Sequence, residues 1–209
     1  MMSATMVAVL GAGAGLRMGG GKLDRDLGGR PLGAWAMASA QSLGAPVCLI
    51  SAQQQPDWLG PGVTLVHNPD ASSGMASSLH RAVEQARERR AGRLLVMLAD
   101  MPFVDTATLH MLLDRTSRET VTACRYHDGR LGPPACFGGD RLDGLADLAG
   151  DMGARQLLNQ PGFALGLAVD AEQLMDIDTP DDLQLARCRA GRRMQLEGRE
   201  NKERAGGER

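Results

Sequence analysis

The stretch TMVAVLGAGAGLRMGGGKLD, residues 5–24, decides the fold: a six-residue apolar run stops at a glycine-rich loop that carries Arg17 and Lys22. An apolar run of that length, with β-branched residues at alternate positions and glycine at its end, reads as a buried strand. Glycines let successive backbone N–H groups converge on an anion, and two cations suit a polyphosphate. A flexible strand-to-helix connection is the competing reading. Two familiar phosphate loops do not fit. A Walker loop needs glycine at Leu16 and a hydroxyl at Leu23, and a dinucleotide fingerprint needs glycine at Leu16 or Met18.

Outward from this loop, short apolar runs alternate with longer amphipathic ones. Residues 5–10, 47–50, 63–66 and 94–98 are expected strands, and residues 31–43, 74–90 and 105–115 are expected helices, with Asp105 as an N-cap. The second half reads as strands at 120–124 and 134–137, helices near 140–149 and 154–160, and a strand near 165–169. A last helix starts at DTPDDL, where Thr179 caps and Pro180 occupies the first turn. Such alternation predicts an α/β fold, a mostly parallel sheet with helices on both faces, whose ligands sit at the carboxyl ends of the strands. Residues 1–189 read as one domain and the polar residues 190–209 as a disordered tail.

At 43% apolar residues and a formal charge of −2, the chain can bury a core and has no basic field for nucleic acid or an anionic membrane. Cys48, Cys124, Cys136 and Cys188 form no C-x-x-C pair, and the first residues lack signal-peptide character, so reduced thiols and a cytoplasmic location are expected. His67, His80, His110 and His127 have no metal-ligand spacing, and no Gly-x-Ser-x-Gly elbow is present. Two carboxylate segments remain. LLVMLADMP brings Asp100 to the end of a strand, and MDIDTPDDL brings Asp176 and Asp178 to the start of a helix. Carboxylates from distant parts of the chain suit one Mg²⁺, a hard ion that retains water and substrate phosphates as ligands. Read separately, Asp100 is also a turn residue before Pro102 and Asp178 also a helix cap.

AGAGLRMGGGKL, Ala12 to Leu23, resembles the A-G-x-S-x-R-M-G-x-x-K-L signature of the MobA-like nucleotidyltransferases. NPDASSGMASSLHRAV, LADMPFVDTATLHML, GDMGARQLL and DIDTPDDL follow in the family's order, and the resemblance is greatest to the molybdenum cofactor cytidylyltransferase branch. It implies a Rossmann-like nucleotidyltransferase fold and the transfer of CMP from CTP, or of the nucleotide of another NTP, to molybdenum cofactor with release of pyrophosphate. It also implies that Ala12, Gly13, Ala14, Gly15, Arg17, Met18, Gly19 and Lys22 surround the triphosphate. Gly74, Ser77 and Ser78 would approach base and ribose, Asp100 and Asp178 would hold Mg²⁺, and Asp151 and Arg155 would meet the acceptor. A molybdenum hydroxylase or its chaperone is the implied client. Gly11, Gly15, Met101 and Pro133 depart from the family pattern, and the last two bear on the identity of the acceptor and of the base. Ala12 stands where related guanylyltransferases tend to have glycine, a lean toward CTP. Two alternatives remain: the same fold acting on a sugar or polyol phosphate, and a non-catalytic module that handles nucleotide or molybdenum cofactor.

Overall fold

The computed structural model describes residues 4–13, 18–150 and 152–191. Its first strand, β1 (Thr5–Leu10), is apolar on both faces. Met6, Ala8 and Leu10 join one core cluster, while Val7 and Val9 join another. A strand with this pattern needs helices on both sides. The chain continues through a small hairpin, β2 (Asp26–Leu27) and β3 (Arg30–Pro31), then α1 (Leu32–Gln41), β4 (Val47–Ser51), β5 (Val63–His67), α2 (Met75–Glu88), β6 (Arg93–Leu98) and α3 (Thr106–Asp114). It ends with β7 (Val121–Arg125), β8 (Leu131–Gly138), α4 (Asp143–Ala146), α5 (Ala154–Leu158), β9 (Leu165–Ala168) and α6 (180–191). Leu79, Val83 and Ala86 of α2, with Leu145 and Leu157 of α4 and α5, cover one sheet face; Met37 of α1 and Leu109 and Leu112 of α3 cover the other.

The seven-stranded sheet runs β5-β4-β1-β6-β8-β7-β9. Pairs β4–β5, β1–β4, β1–β6 and β7–β9 are parallel, and β8 is antiparallel to both β6 and β7. The chain moves outward from β1 to β4 and β5, then crosses back to β6 on the other side of β1. That reversal leaves the carboxyl ends of β1 and β6 open to a ligand.

The expected fold is present, with instructive local differences. The hairpin of β2 and β3 was not anticipated; its signal is Gly28-Gly29, at φ of 63° and 85°, as a tight two-residue turn requires. β8 begins earlier than expected and includes Pro133 and Pro134. A register shift at Ala123/Cys124 opens the ladder beside these prolines, which have no N–H to donate. The helix expected near 140–149 is only a 3₁₀ turn and the four residues of α4, which is followed closely by Gly150 at a left-handed φ of 57°. Ala190 and Gly191, assigned from sequence to the tail, belong to α6, and Ala190 is fully buried against Leu183 and Ala186 in a third cluster. Residues 192–209 lie outside the described residues. No helix among the described residues is long and apolar enough to cross a membrane.

Candidate active site

Leu10 and Leu98 are register partners, so the segments that leave β1 and β6 start side by side. Ala99 N–H donates to Leu10 O at 3.0 Å, and Gly11 N–H donates to Ile50 O at 2.8 Å, extending the ladder one residue past the strands. Asp100 follows directly. Its carbonyl accepts the Ile177 N–H at 3.1 Å, and this one backbone bond seats the segment carrying Asp176 and Asp178 beside the strand end. Lys22 arrives by a third route. Gly19, Gly20 and Gly21 all have left-handed φ (72°, 83° and 59°), a run that only glycine tolerates without strain, and it delivers Lys22 into a short 3₁₀ turn. Trp58 anchors that turn: its indole N–H donates to Asp24 Oδ1 at 2.7 Å, and its ring packs on Gly33, where a Cβ would overlap it.

Lys22 Nζ lies 2.7 Å from Asp100 Oδ2 and 2.9 Å from Asp178 Oδ1. Burial alone would lower the pKa of this ammonium, yet the two carboxylates, Asp100 first, outweigh that and hold it above its ordinary value. Asp100 Oδ1 is buried and has no hydrogen-bond partner among the described residues. An oxygen so placed is costly unless something positive or a donor approaches it. Asp176, half-buried, is raised by burial and by the charges of Asp178 and Asp100. Asp182 closes the segment as a capping box: its Oδ2 accepts from Thr179 N–H, Thr179 Oγ1 and Asp178 N–H, while its own N–H donates to Thr179 Oγ1.

Two adjoining clefts of about 350 and 450 Å³ share Ala12, Gly13 and Ala71 as walls. Gly74, Ser78 and Asp100 line the first; Gln53, His67 and Asn68 line the second. Thus Ala12, Gly13, Gly74, Ser78 and Asp100, predicted separately from sequence, surround one depression beside Lys22. Ser77 lines neither cleft, and its hydroxyl donates to Gly74 O at 2.8 Å. The Met18 side chain is buried with Phe103 and Ile177 in the third cluster, so only its backbone is available to a ligand. Ala14, Gly15, Arg17 and Asp151 lie outside the described residues.

Arg155 stands apart from that depression, on α5. Its guanidinium lies over the Tyr126 ring at 4.7 Å and lines a cleft of about 460 Å³ with Arg130, Gln156 and Asn159. Tyr126 donates its hydroxyl hydrogen to Pro133 O at 2.6 Å. Met101 is fully buried, its sulfur 3.9 Å from the Tyr126 hydroxyl, so it stands behind this cleft rather than in it. Trp58 and Tyr126 were missed from sequence because each acts through a partner distant in the chain, and Asn68 because its side chain reaches serines on the next helix, a pairing with no local spacing rule. Burial pushes the thiols of Cys48 and Cys124 up to about 12 and that of Cys136 to about 11, leaving them protonated and inert. No cluster of three or more His, Cys, Asp or Glu side chains suited to a metal occurs among the described residues.

The chain is 27% identical over 206 residues to the purine catabolism protein PucB of Bacillus subtilis, covering 90% of this chain and 98% of that one. It is 32% identical over 124 residues to a phosphoenolpyruvate guanylyltransferase of Conexibacter woesei, covering 56% and 54% of the two chains. Among solved structures, Rv0371c of Mycobacterium tuberculosis superposes with a TM-score of 0.77 at 26% identity, covering 90% of this chain and 99% of that one. A complex of Rv0371c with manganese gives 0.68 at 26% identity, over 89% and 98%. The glycine loop, the Asp100 strand end and most of the sheet around them fall within residues 7–165, which match the MobA-like NTP transferase domain, and the chain belongs to that nucleotidyltransferase family.

Proposed function

We propose that this protein transfers CMP from CTP to the terminal phosphate of molybdenum cofactor and releases pyrophosphate. The observation that carries the reading is the convergence of Lys22, Asp100 and Asp178, from three separate segments, at the rim of the cleft lined by Ala12, Gly13 and Ser78. In the reaction, an oxygen of the acceptor phosphate forms a bond to the α-phosphorus. The bond from that phosphorus to the bridging oxygen breaks, and pyrophosphate leaves with the electron pair. An acceptor phosphate is already anionic, so no strong base is needed, and positioning and charge neutralisation supply the acceleration. Lys22 provides one positive charge within reach of the triphosphate, and the open backbone of Ala12 and Gly13 lets that triphosphate approach closely.

The residues present fit a divalent cation. Asp100 and Asp178 are hard oxygen donors, and Asp100 Oδ1 is a buried acceptor that protein groups among the described residues leave unsatisfied. Mg²⁺ held there would neutralise charge on the transferring phosphoryl group. The manganese complex of Rv0371c supports a divalent ion in this family. Arg155 is the candidate for the acceptor phosphate, its planar fork matching two oxygens. Through the name of PucB, purine catabolism is the setting we propose for the client enzyme, in keeping with a molybdenum hydroxylase.

A second reading keeps the chemistry and changes the base. The guanylyltransferase relative from Conexibacter favours GTP, against the lean toward CTP from Ala12. The test is pyrophosphate release with CTP, GTP, ATP and UTP in turn, with and without molybdenum cofactor. Release with CTP that requires the cofactor is expected. Release that requires the cofactor but prefers GTP replaces the first reading by the second, and cofactor-independent indifference to all four overturns both.

A further inference from the structure

The buried amide of Asn68 is oriented by its surroundings. The Asp70 N–H can only donate, and it donates to Asn68 Oδ1 at 3.1 Å, so Nδ2 is the atom that faces α2. Its two hydrogens go to Ser77 Oγ at 2.9 Å and to Ser78 Oγ at 3.0 Å. Ser77 passes its own hydrogen to Gly74 O. Among the described residues, the Ser78 hydroxyl makes only the hydrogen bond that it accepts from Asn68, which leaves its hydrogen uncommitted. Ser78 is 5% exposed and lines the cleft with Ala12, Gly13 and Asp100.

We propose that Asn68 is a positioning residue that holds Ser78 as a hydrogen-bond donor to the cleft, so that the site selects a nucleobase edge presenting an acceptor atom there. The inference rests on the base occupying this cleft, as in the function proposed above. Asn68 touches no substrate in this scheme. It sets the polarity of a hydroxyl that would otherwise rotate freely to donate or accept.

Asn68→Asp tests this with little change of shape. The new oxygen in place of Nδ2 cannot donate, so both serines must turn their hydrogens to it, and the cleft loses its donor. The measurement is calorimetric binding of CTP, and of GTP in parallel, with magnesium present, to the full chain, to Asn68→Asp, to Ser78→Ala and to the double variant. A charge placed at residue 68 weakens binding in either background, whereas the hydroxyl effect exists only when Ser78 is present. The loss caused by Asn68→Asp should therefore be about three- to tenfold greater with Ser78 than with alanine at that position, the range of one neutral hydrogen bond. An equal loss in both backgrounds overturns the role of Asn68 while leaving the cleft reading intact. Unchanged binding of both CTP and GTP by Ser78→Ala places the base elsewhere and overturns the cleft reading together with the inference. If the buried carboxylate prevents folding, Asn68→Ala enters the same cycle. Coupling of at least about threefold with Ser78→Ala then supports the proposal, and factors that simply multiply overturn it.

Discussion

On the β5-β4-β1-β6 flank of the sheet, the polar groups around the cleft leave strands directly: Gly11 to Gly13 follow β1, Asn68 follows β5 and Asp100 follows β6. On the β8-β7-β9 flank, Arg155 sits on a five-residue helix and is held by its stack on Tyr126, itself tied to Pro133 O. Asn159 completes that support, its side chain bonding Leu131 N–H and Leu131 O at 2.9 and 2.8 Å. The first flank fixes its groups through backbone geometry at strand ends, the second through side chains reaching across the sheet edge. If the proposed division of labour is correct, nucleotide chemistry belongs to the first flank and acceptor recognition to the second, and each can be damaged separately.

The largest effect is expected at the junction of the three segments. Asp100→Asn and Asp178→Asn should each lower turnover by at least about 100-fold, since each removes charge beside the proposed ion. Asp100→Asn should be the more severe, because its carboxylate is the more buried of the two, at 20% side-chain exposure against 48%. Steady-state rates over a range of magnesium concentrations check this. Near-normal rates in both variants, with unchanged melting, would remove these carboxylates from the chemistry.

On the other flank, Arg155→Ala should raise the KM for the phosphorylated acceptor by roughly ten- to a hundredfold, as the loss of a charge-assisted contact implies, while the CTP KM changes less than twofold. Tyr126→Leu, which removes the ring under the guanidinium, should reproduce the pattern more weakly. Equal effects on both substrates would mean that the flanks do not divide the work.

Ala12→Gly sharpens the comparison inside the nucleotide flank. Removing one methyl from the cleft wall should raise GTP use relative to CTP by about ten- to a hundredfold, the most that one methyl supplies. Competition of the two nucleotides for one limiting acceptor, with products read by mass, gives the ratio directly. A ratio unchanged by the substitution would take Ala12 out of base selection.

The two flanks also differ in how much of them could be read from the sequence. β1, β6 and α3, the cap at Asp105 and the positions of Lys22, Asp100 and Asp178 follow from local rules: apolar runs, glycines with left-handed φ, capping spacings and strand-end carboxylates. Thr108 N–H donates to Asp105 Oδ1 at 2.7 Å, as the cap reading required. No such rule pairs Lys22 with carboxylates 78 and 156 residues away. The stack of Arg155 on Tyr126 has no local signal either, because it depends on α5 packing on β8 and on the antiparallel pairing of β8 with β7, the strand that Tyr126 follows. Gly132 shows the dependence: a Cβ there would come within 2.8 Å of the Tyr126 ring and 3.0 Å of Arg155 Nε. Glycine at that place is intelligible only once both side chains are in position.

The smallest expected effect concerns the cap that sets the angle of the Asp178 segment. Hydrogen bonds from Thr179 Oγ1 first, then from the Thr179 and Asp178 N–H groups, favour the charged form of Asp182 and hold its pKa below the ordinary value of 3.8, although partial burial opposes them. A carboxylate whose pKa is depressed on folding stabilises the native state above its unfolded value, and that contribution is lost as pH falls through the folded one. Asp182→Ala should therefore cost about 1 kcal/mol at neutral pH, the usual worth of a helix cap. The difference from the parent should narrow once the pH drops below 3.8. Urea midpoints of the two proteins, compared from neutral pH to roughly pH 3, measure the narrowing. A gap that stays constant over that range would show that Asp182 acts through packing rather than charge. A gap that closes, with turnover at neutral pH also reduced, would tie the orientation of Asp178 to this box and make the cap part of the catalytic flank.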